Sequence, residues 1–398
     1  VQPTAIKLDE KIGYTQLLVT ATLNTGDRVD VTRMATISAD SDVVRVTHGG
    51  RVHARADGSA NLAVTFGEQT LQVPVTVAGV AADTPMNFVR DVNPIISRLG
   101  CNAGTCHGAK DGKNGFKLSL RGYDPIMDVR AFTDDLASRR VNLASPDDSL
   151  MLLKATGAVP HVGGQVTKPG HPYYETIRQW IAEGAVLDLH APRVVKIDVE
   201  PQDSVIQQIG GKQQVSVIAT YSDGSTRDVT GEAFIDSGNT EVAEINRHGI
   251  VTTVRRGEAP LLARFEGNYA ATTITSMGDR SGFVWQAPES WTEIDRFVAA
   301  KWERLRILPS GLCSNDEFLR RAYLDLTGLP PSAARLREFL ADPGDTRAKR
   351  DAVIDQLIGS EEYITYWTNK WADLLQVNSK FLGAEGARAF RDWIRTEV

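Results

Sequence analysis

Cysteine is scarce in this chain: there are three among 398 residues. So few thiols cannot build a disulfide-rich scaffold, and an odd number leaves at least one unpaired. No apolar run approaches the roughly 20 residues that cross a bilayer as a helix. An excess of positive charge is missing too. Forty-four Lys and Arg stand against 50 Asp and Glu, a net charge of −6, which argues against a nucleic-acid binder living on phosphate neutralisation. The sequence holds no Ser/His/Asp set, phosphate-cradling loop or dinucleotide fingerprint. Apolar residues are plentiful. At 42% they suffice for several packed cores and exclude wholesale disorder. One domain per roughly 150 residues would give two or three domains. The chain opens at Val1 with neither Met nor a signal peptide, as expected of a mature or excised protein.

Residues 1–80 alternate apolar and polar positions in short β-branched runs. Leu17–Leu23 stops at the turn Asn24-Thr25-Gly26-Asp27, and Leu71–Val77 closes the segment. Such spacing predicts an antiparallel sandwich. The same pattern returns over 193–278, where Arg28-Val29-Asp30-Val31-Thr32 is echoed 198 positions later by Thr226-Arg227-Asp228-Val229-Thr230. Both segments resemble the bacterial immunoglobulin-like group 2 domain, which implies a spacer, adhesive or docking module in each.

Residues 84–191 have a different character. Pro94 suits the first turn of a short helix with Ile95, Ile96 and Leu99 on its apolar side and Gly100 at its end. Tyr173, Tyr174, Ile177, Trp180 and Ile181 fall at helical spacing and stop at Gly184. Between these helices lies a Gly-rich middle with few apolar residues, so a cofactor is expected to complete its core. Residues 285–398 read as helical, with a capping box at Ser314 and Glu317 and a cap at Ser332. The last residues, Arg391 to Val398, continue a helical pattern with no stop signal, so this domain is expected to be cut short.

Cys101-Asn102-Ala103-Gly104-Thr105-Cys106-His107 carries the chemistry. Two Cys with His directly after the second follow the pattern of covalent haem attachment: each thiol adds to a vinyl group, and the adjacent imidazole lies beneath the iron. Four residues separate the cysteines where two are usual, and Asn102, Ala103 and Gly104 suit a looped-out bulge. Three other readings stay open: a Cys101–Cys106 disulfide, which leaves His107 unexplained; a zinc site, which lacks two ligands; and a chance cluster.

The segment resembles a class I cytochrome c domain of the type found in large planctomycete proteins, where C-x4-C-H is typical. The residues carrying this are Asp91–Ile96, Cys101–Gly108, Gly115–Pro125, Ser149–Gly157 and Trp180–Ala185. Glu317–Gly328 resembles the uncharacterised helical domain that accompanies such cytochromes. The resemblance implies one covalent haem c, with Cys101 and Cys106 as its thioether attachment points and His107 as proximal axial ligand. It places the distal ligand in the loop before the last helix, which contains no Met. His161 stands at that position. His171, read as an exposed or capping residue, and Met151, read as core packing, are the alternatives, together with an open site. Two axial imidazoles lower the potential relative to Met/His and leave no position for O2.

The expected fold class is multidomain: an Ig-like β-sandwich, a mainly-α cytochrome c-like domain, a second Ig-like sandwich and an all-α C-terminal region. The expected function is electron transfer in the periplasm or at the cell surface, because thioether attachment needs an export compartment. The redox partner is unidentified, a polysaccharide or cell-surface partner is a further candidate, and no nucleic acid is expected. Two alternatives remain: a larger redox enzyme with its catalytic site in the helical or C-terminal region, and an adhesive or polymer-binding scaffold. Cys313 is read as a buried apolar residue. His48, His53, His190 and His248 are read as surface residues, and Arg98, Arg121, Tyr123 and Lys168 as candidate propionate partners.

Overall fold

Alternating burial builds two sandwiches, seen in a computed structural model that describes residues 1–9, 13–81 and 85–398. Thr84, the expected start of the middle segment, lies outside the described residues. The first sandwich contains β1 (Ile6–Leu8), β2 (Tyr14–Gln16), β3 (Thr20–Thr22), β4 (Arg28–Asp30), β5 (Thr36–Ala39), β6 (Val44–Val46), β7 (Arg51–Ala54), β8 (Gly58–Phe66) and β9 (Gln69–Val77). Its sheets run β1-β9-β8-β5, β2-β7-β6 and β3-β4, with β1 parallel to β9. Val73, Val75 and Val77 of β9 point into a core with Leu17, Val52 and Leu62.

One helical segment separates this sandwich from its counterpart. A wide helical turn over Phe88–Val92 leads into α1 (Asn93–Arg98), followed by α2 (Pro125–Thr133), α3 (Leu150–Thr156) and α4 (Pro172–Ala182). The helix expected to open at Pro94 begins earlier, because the Asn87 side chain accepts the Arg90 N–H and caps the Phe88 turn. Phe88 packs on Trp180 of α4 with ring centroids 5.1 Å apart. The core here holds 16 buried apolar residues, among them Phe88, Ile96, Leu118, Leu152 and Trp180. That corrects the expectation of an apolar shortage: the terminal helices and the intervening loops fill this core themselves.

The second sandwich contains β10 (Val194–Glu200), β11 (Val205–Ile206), β12 (Lys212–Gln214), β13 (Ser216–Tyr221), β14 (Thr226–Asp228), β15 (Phe234–Ser237), β16 (Ala243–Ile245), β17 (Ile250–Thr253), β18 (Gly257–Phe265) and β19 (Asn268–Ser276). Its sheets repeat the first plan: β11-β19-β18-β15 with β11 parallel to β19, then β12-β17-β16 and β10-β13-β14. The run Leu17–Leu23, expected as one strand, is strand only at Thr20–Thr22 (β3), and Leu17–Val19 link it to β2. Leu17, Leu18 and Val19 are all buried where the chain passes between sheets, so alternation fails at the crossing. The same division recurs at the buried Val215, between β12 and β13.

The Asp-Val-Thr motifs lock each sandwich and then lock the two together. Asp30 Oδ1 accepts the Thr32 N–H at 2.8 Å, and Asp228 Oδ1 accepts that of Thr230 at 2.9 Å. Each Thr hydroxyl in turn accepts a strand N–H, from Val19 or Val217, at 2.8 Å. The remaining carboxylate oxygens reach across: Gln214 N donates to Asp30 Oδ2 at 2.6 Å and Gln16 N to Asp228 Oδ2 at 2.5 Å. Gln16 and Gln214 stand 198 positions apart, as do Asp30 and Asp228, so the exchange has pseudo-two-fold symmetry.

Contacts divide the chain into two units, Val1–Trp285 with Glu303–Arg306, and Gln286–Trp302 with Ile307–Val398. The C-terminal region contains α5 (Glu293–Arg304), α6 (Asn315–Thr327), α7 (Ala333–Ala341), α8 (Thr346–Leu357), α9 (Glu361–Leu374) and α10 (Ser379–Glu397). Leu319, Phe339, Val353 and Leu357 form its core. The capping box expected at Ser314 does not form, since the Ser314 hydroxyl makes no cap hydrogen bond, whereas Ser332 caps α7 through the Arg335 N–H. Gly328 ends α6 at φ +72°, and a Cβ there would lie 2.4 Å from the Tyr366 ring. The chain is thus a multidomain protein with β-sheet domains and a helical C-terminal region. No described helix is long and apolar enough to cross a membrane.

Removing either reciprocal carboxylate strands buried N–H groups in both sandwiches. Asp30→Ala and Asp228→Ala should each cost about 2–3 kcal/mol, read from the urea midpoint. An unchanged midpoint in both variants would contradict the lock.

Glu266, at the β18–β19 turn, is the pH-sensitive element. Burial pushes its carboxyl from the ordinary 4.5 up to about 7, outweighing the attraction of Arg193 and Arg227, and its Oε1 is buried without a hydrogen-bond partner. Because the folded value exceeds the unfolded one, stability falls as pH rises from about 4.5 through about 7. Glu266→Gln should remove that fall. Parallel pH curves for the two proteins between pH 5 and 8 would exclude it.

Candidate functional site

Cys101–Gly108 is folded by its own backbone. His107 N donates to Cys101 O at 3.0 Å, and Gly108 N and Cys106 N donate to Ala103 O at 3.1 and 2.9 Å. Asn102 was expected in a looped-out bulge, but it is buried. Its side-chain amide donates to Ser97 Oγ at 2.8 Å and its carbonyl accepts the Arg121 N–H at 3.0 Å. The exposed part of the loop is Gly104-Thr105. Gly108 is required by space, since a Cβ there would lie 2.0 Å from Asn102 O.

All three thiols are free. Cys101 packs against the helical core, and burial, reinforced by neighbouring Cys106, pushes its thiol up to about 12. Cys106 and Cys313 are half-buried; Cys313, expected in an apolar core, instead sits just before α6.

His107 follows directly and is aimed by a relay that the motif does not reveal. Its Nδ1 lies 3.1 Å from Phe116 O, a hydrogen bond in the tautomer protonated at Nδ1, which leaves Nε2 with a lone pair. The Phe116 ring packs on the imidazole with centroids 4.6 Å apart. Behind it the buried Arg140 holds its guanidinium 4.5 Å over the ring and donates to Ala131 O and Gly115 O at 2.7 and 3.0 Å. Burial, followed by His161 and Arg140, holds His107 below the ordinary imidazole value despite its hydrogen bond to Phe116.

The loop after α3 brings His161 to the same place. The His107 and His161 rings are parallel to within 3°, with centroids 6.4 Å apart. Gly164 N donates to His161 O at 2.9 Å, His161 Nδ1 lies 3.4 Å from Gly164 O, and Lys154 Nζ donates to Pro160 O at 2.5 Å. A Cβ on Gly163 would stand 2.9 Å from the His161 ring, so the absent side chain leaves the imidazole its position. His171 takes the capping role instead, its Nδ1 accepting the Tyr173 N–H at the start of α4. Met151 packs against the core.

Several other expectations change. The Arg98 guanidinium, a candidate propionate partner, donates to Ala233 O and Arg247 O of the second sandwich, at 3.2 and 2.7 Å. Tyr123 is exposed. His53, expected at the surface, is half-buried beside Tyr14 at a centroid distance of 5.9 Å, and burial followed by Arg51 holds it at about 4. Sequence reasoning missed Phe116, Arg140 and Asp128. The buried Asp128 carboxylate accepts both the N–H and hydroxyl of Ser119, at 2.5 and 2.6 Å, and so fixes the chain before α2.

Known proteins bear on this chain only in part. Residues 293–398 match the family PSCyt2, described as a protein of unknown function (DUF1549). Among curated proteins none matches. Solved structures with similar strands include domains 5–6 of the surface-layer protein SbsC, at 12% identity and a TM-score of 0.27, over 69% of this chain and 95% of that one. Domains 1–6 of SbsC are 12% identical at a TM-score of 0.20 over 67% of this chain, which spans 28% of theirs. Human protocadherin-24 EC1-2 is 9% identical, at a TM-score of 0.14, over 69% and 93%. Scores this low carry no argument.

Two glycines of the Cys101–Gly108 loop should behave oppositely. Gly108→Ala forces a Cβ onto Asn102 O and should cost about 2–3 kcal/mol. Gly104→Ala, whose Cβ would meet Leu120 at an ordinary 3.6 Å, should stay within about 0.5 kcal/mol. Urea unfolding of the two variants decides. Equal midpoints would contradict the packing of this loop.

Proposed function

We propose that the helical segment binds one haem c, tethered by Cys101 and Cys106 and ligated by His107 and His161, and that the chain is an exported electron carrier of the periplasm or cell surface. The imidazole pair carries this reading. An imidazole nitrogen sits about 2 Å from a transition metal and about 1.2 Å from its own ring centroid, so two rings ligating one ion from opposite sides have centroids about 6.3 Å apart. The observed separation is 6.4 Å with parallel planes. Both Nδ1 atoms face backbone carbonyls, leaving each Nε2 as the ligating atom. Such a pair suits the axial positions of a metal already ringed by a macrocycle.

Next to His161, Val162 is fully exposed. When bound, haem supplies reversible one-electron exchange, and two axial imidazoles leave no open position for O2 or peroxide. The chain's own residues do the positioning. Phe116 O keeps the His107 proton on Nδ1 and raises the basicity of Nε2, Arg140 braces Phe116, and Lys154 and Gly164 shape the loop that presents His161. The resemblance to class I cytochromes c supports the same ligands. Export follows from the proposed thioether chemistry, which needs reduced thiols and an export compartment with attachment machinery.

Two other readings follow from particular observations. The helical region similar to a family of unknown function leaves room for a catalytic site that the haem would serve. The cross-bonded sandwiches suit a surface scaffold.

An absorption spectrum of protein matured in a haem-attaching export compartment tests the proposal. It should show a thioether-type reduced α-band and a low-spin ferric form, and His161→Ala should turn the ferric form high-spin. Colourless protein would favour the scaffold, and an unchanged low-spin spectrum in His161→Ala would refute the distal ligand.

A further inference from the structure

The first sandwich, the helical segment and the second sandwich enclose a cavity of about 710 Å³, apart from the imidazole pair. That size suits a small organic molecule. Five guanidiniums line it, those of Arg51, Arg90, Arg98, Arg227 and Arg247, against the three carboxylates Asp9, Asp91 and Glu232.

The acids are largely committed elsewhere. Asp9 accepts from Lys7 Nζ at 2.5 Å. Asp91 is shared between Arg90 and Arg227, at 3.0 and 3.2 Å. Glu232 accepts the Tyr14 hydroxyl at 2.6 Å. Arg98 spends donors on backbone carbonyls, which leave its charge uncompensated. Arg51 lies 4.6 Å over the Tyr14 ring. Among the described residues neither Arg51 nor Arg247 has a carboxylate partner.

Three imidazoles on the walls report the same field. Burial holds His53, His171 and His248 below their ordinary value, and nearby cations push each further down: Arg51 and Arg45 for His53, Lys168 for His171, and Arg51, Arg247 and Arg98 for His248. A cavity with surplus guanidinium charge, partly shielded from water, is stabilised by an anion. Guanidinium forks match oxyanions bidentately, and the Tyr14 and Tyr173 rings add apolar wall.

We propose that this cavity binds a small organic polyanion, a molecule carrying two or more carboxylate or phosphate groups, with Arg51 and Arg247 supplying the free forks. The proposal stands on the packing of the sandwiches and does not rest on the haem reading.

Titration calorimetry on the full chain tests it, with citrate as the carboxylate probe, pyrophosphate as the phosphate probe and glycerol as the uncharged control. At low ionic strength at least one anion should bind at one per chain with Kd below about 1 mM, and binding should weaken as salt is added. The stronger of the two probes identifies the oxyanion. Arg247→Gln, a change at an exposed rim position, and Arg51→Gln should each weaken binding about tenfold or more, with melting curves checking that the variants fold. The proposal is overturned if neither anion saturates below about 10 mM, if glycerol binds as well, or if both folded variants bind like the parent.

Discussion

The exchange of hydrogen bonds between Asp30 and Gln214, and between Asp228 and Gln16, is the constraint on which the first unit depends. Each carboxylate satisfies its own sandwich and the other one, so neither sandwich settles its β-turn chemistry alone. The helical segment is fastened to this frame at three further points. Tyr173 hydroxyl donates to Gly231 O at 3.1 Å, Arg227 pairs with Asp91, and Arg98 donates to two carbonyls of the second sandwich. The buried Asp–Gln bonds are costly when half-made, which favours one arrangement of the two sandwiches. The arginine-lined cavity is a by-product of that arrangement, since its walls come from both sandwiches and the helical segment.

Within the helical segment, rigidity is concentrated where the imidazoles sit. The Cys101–Gly108 loop is tied by backbone bonds and by Asn102, the following loop by Asp128, and His107 by Phe116 and Arg140. His161 is held differently, by a short Gly-rich loop whose geometry depends on Gly163 having no side chain. The two rings lie parallel to within 3°.

Much of this was legible in the sequence, for identifiable reasons. Alternation and the repeated Asp-Val-Thr exposed both sandwiches, because a half-buried strand must alternate. It failed at Leu17–Val19, where a chain passing between sheets is buried on every side. Cys101, Cys106 and His107 stood out because the attachment pattern they match is contiguous in sequence. The choice of His161 over His171 needed family resemblance, since both lie in one Pro/Gly-rich loop and spacing does not separate them. Arg140, Asp128 and the cross-bonding of Asp30 and Asp228 left no local trace. They act on residues 9 to 212 positions away, and a buried Arg is spelled like any surface Arg. Ser314 shows the converse: a capping pattern was present, yet the hydroxyl does not cap.

The central claim is that His107 and His161 are the two axial ligands of one haem iron, with parallel ring planes. Electron paramagnetic resonance of the ferric protein tests it most directly, because the relative orientation of two axial imidazoles shapes the low-spin signal. The account predicts a rhombic low-spin spectrum typical of near-parallel imidazoles, in keeping with the 3° between the rings. An axial high-spin spectrum, or the single large-g signal of crossed imidazole planes, would contradict it.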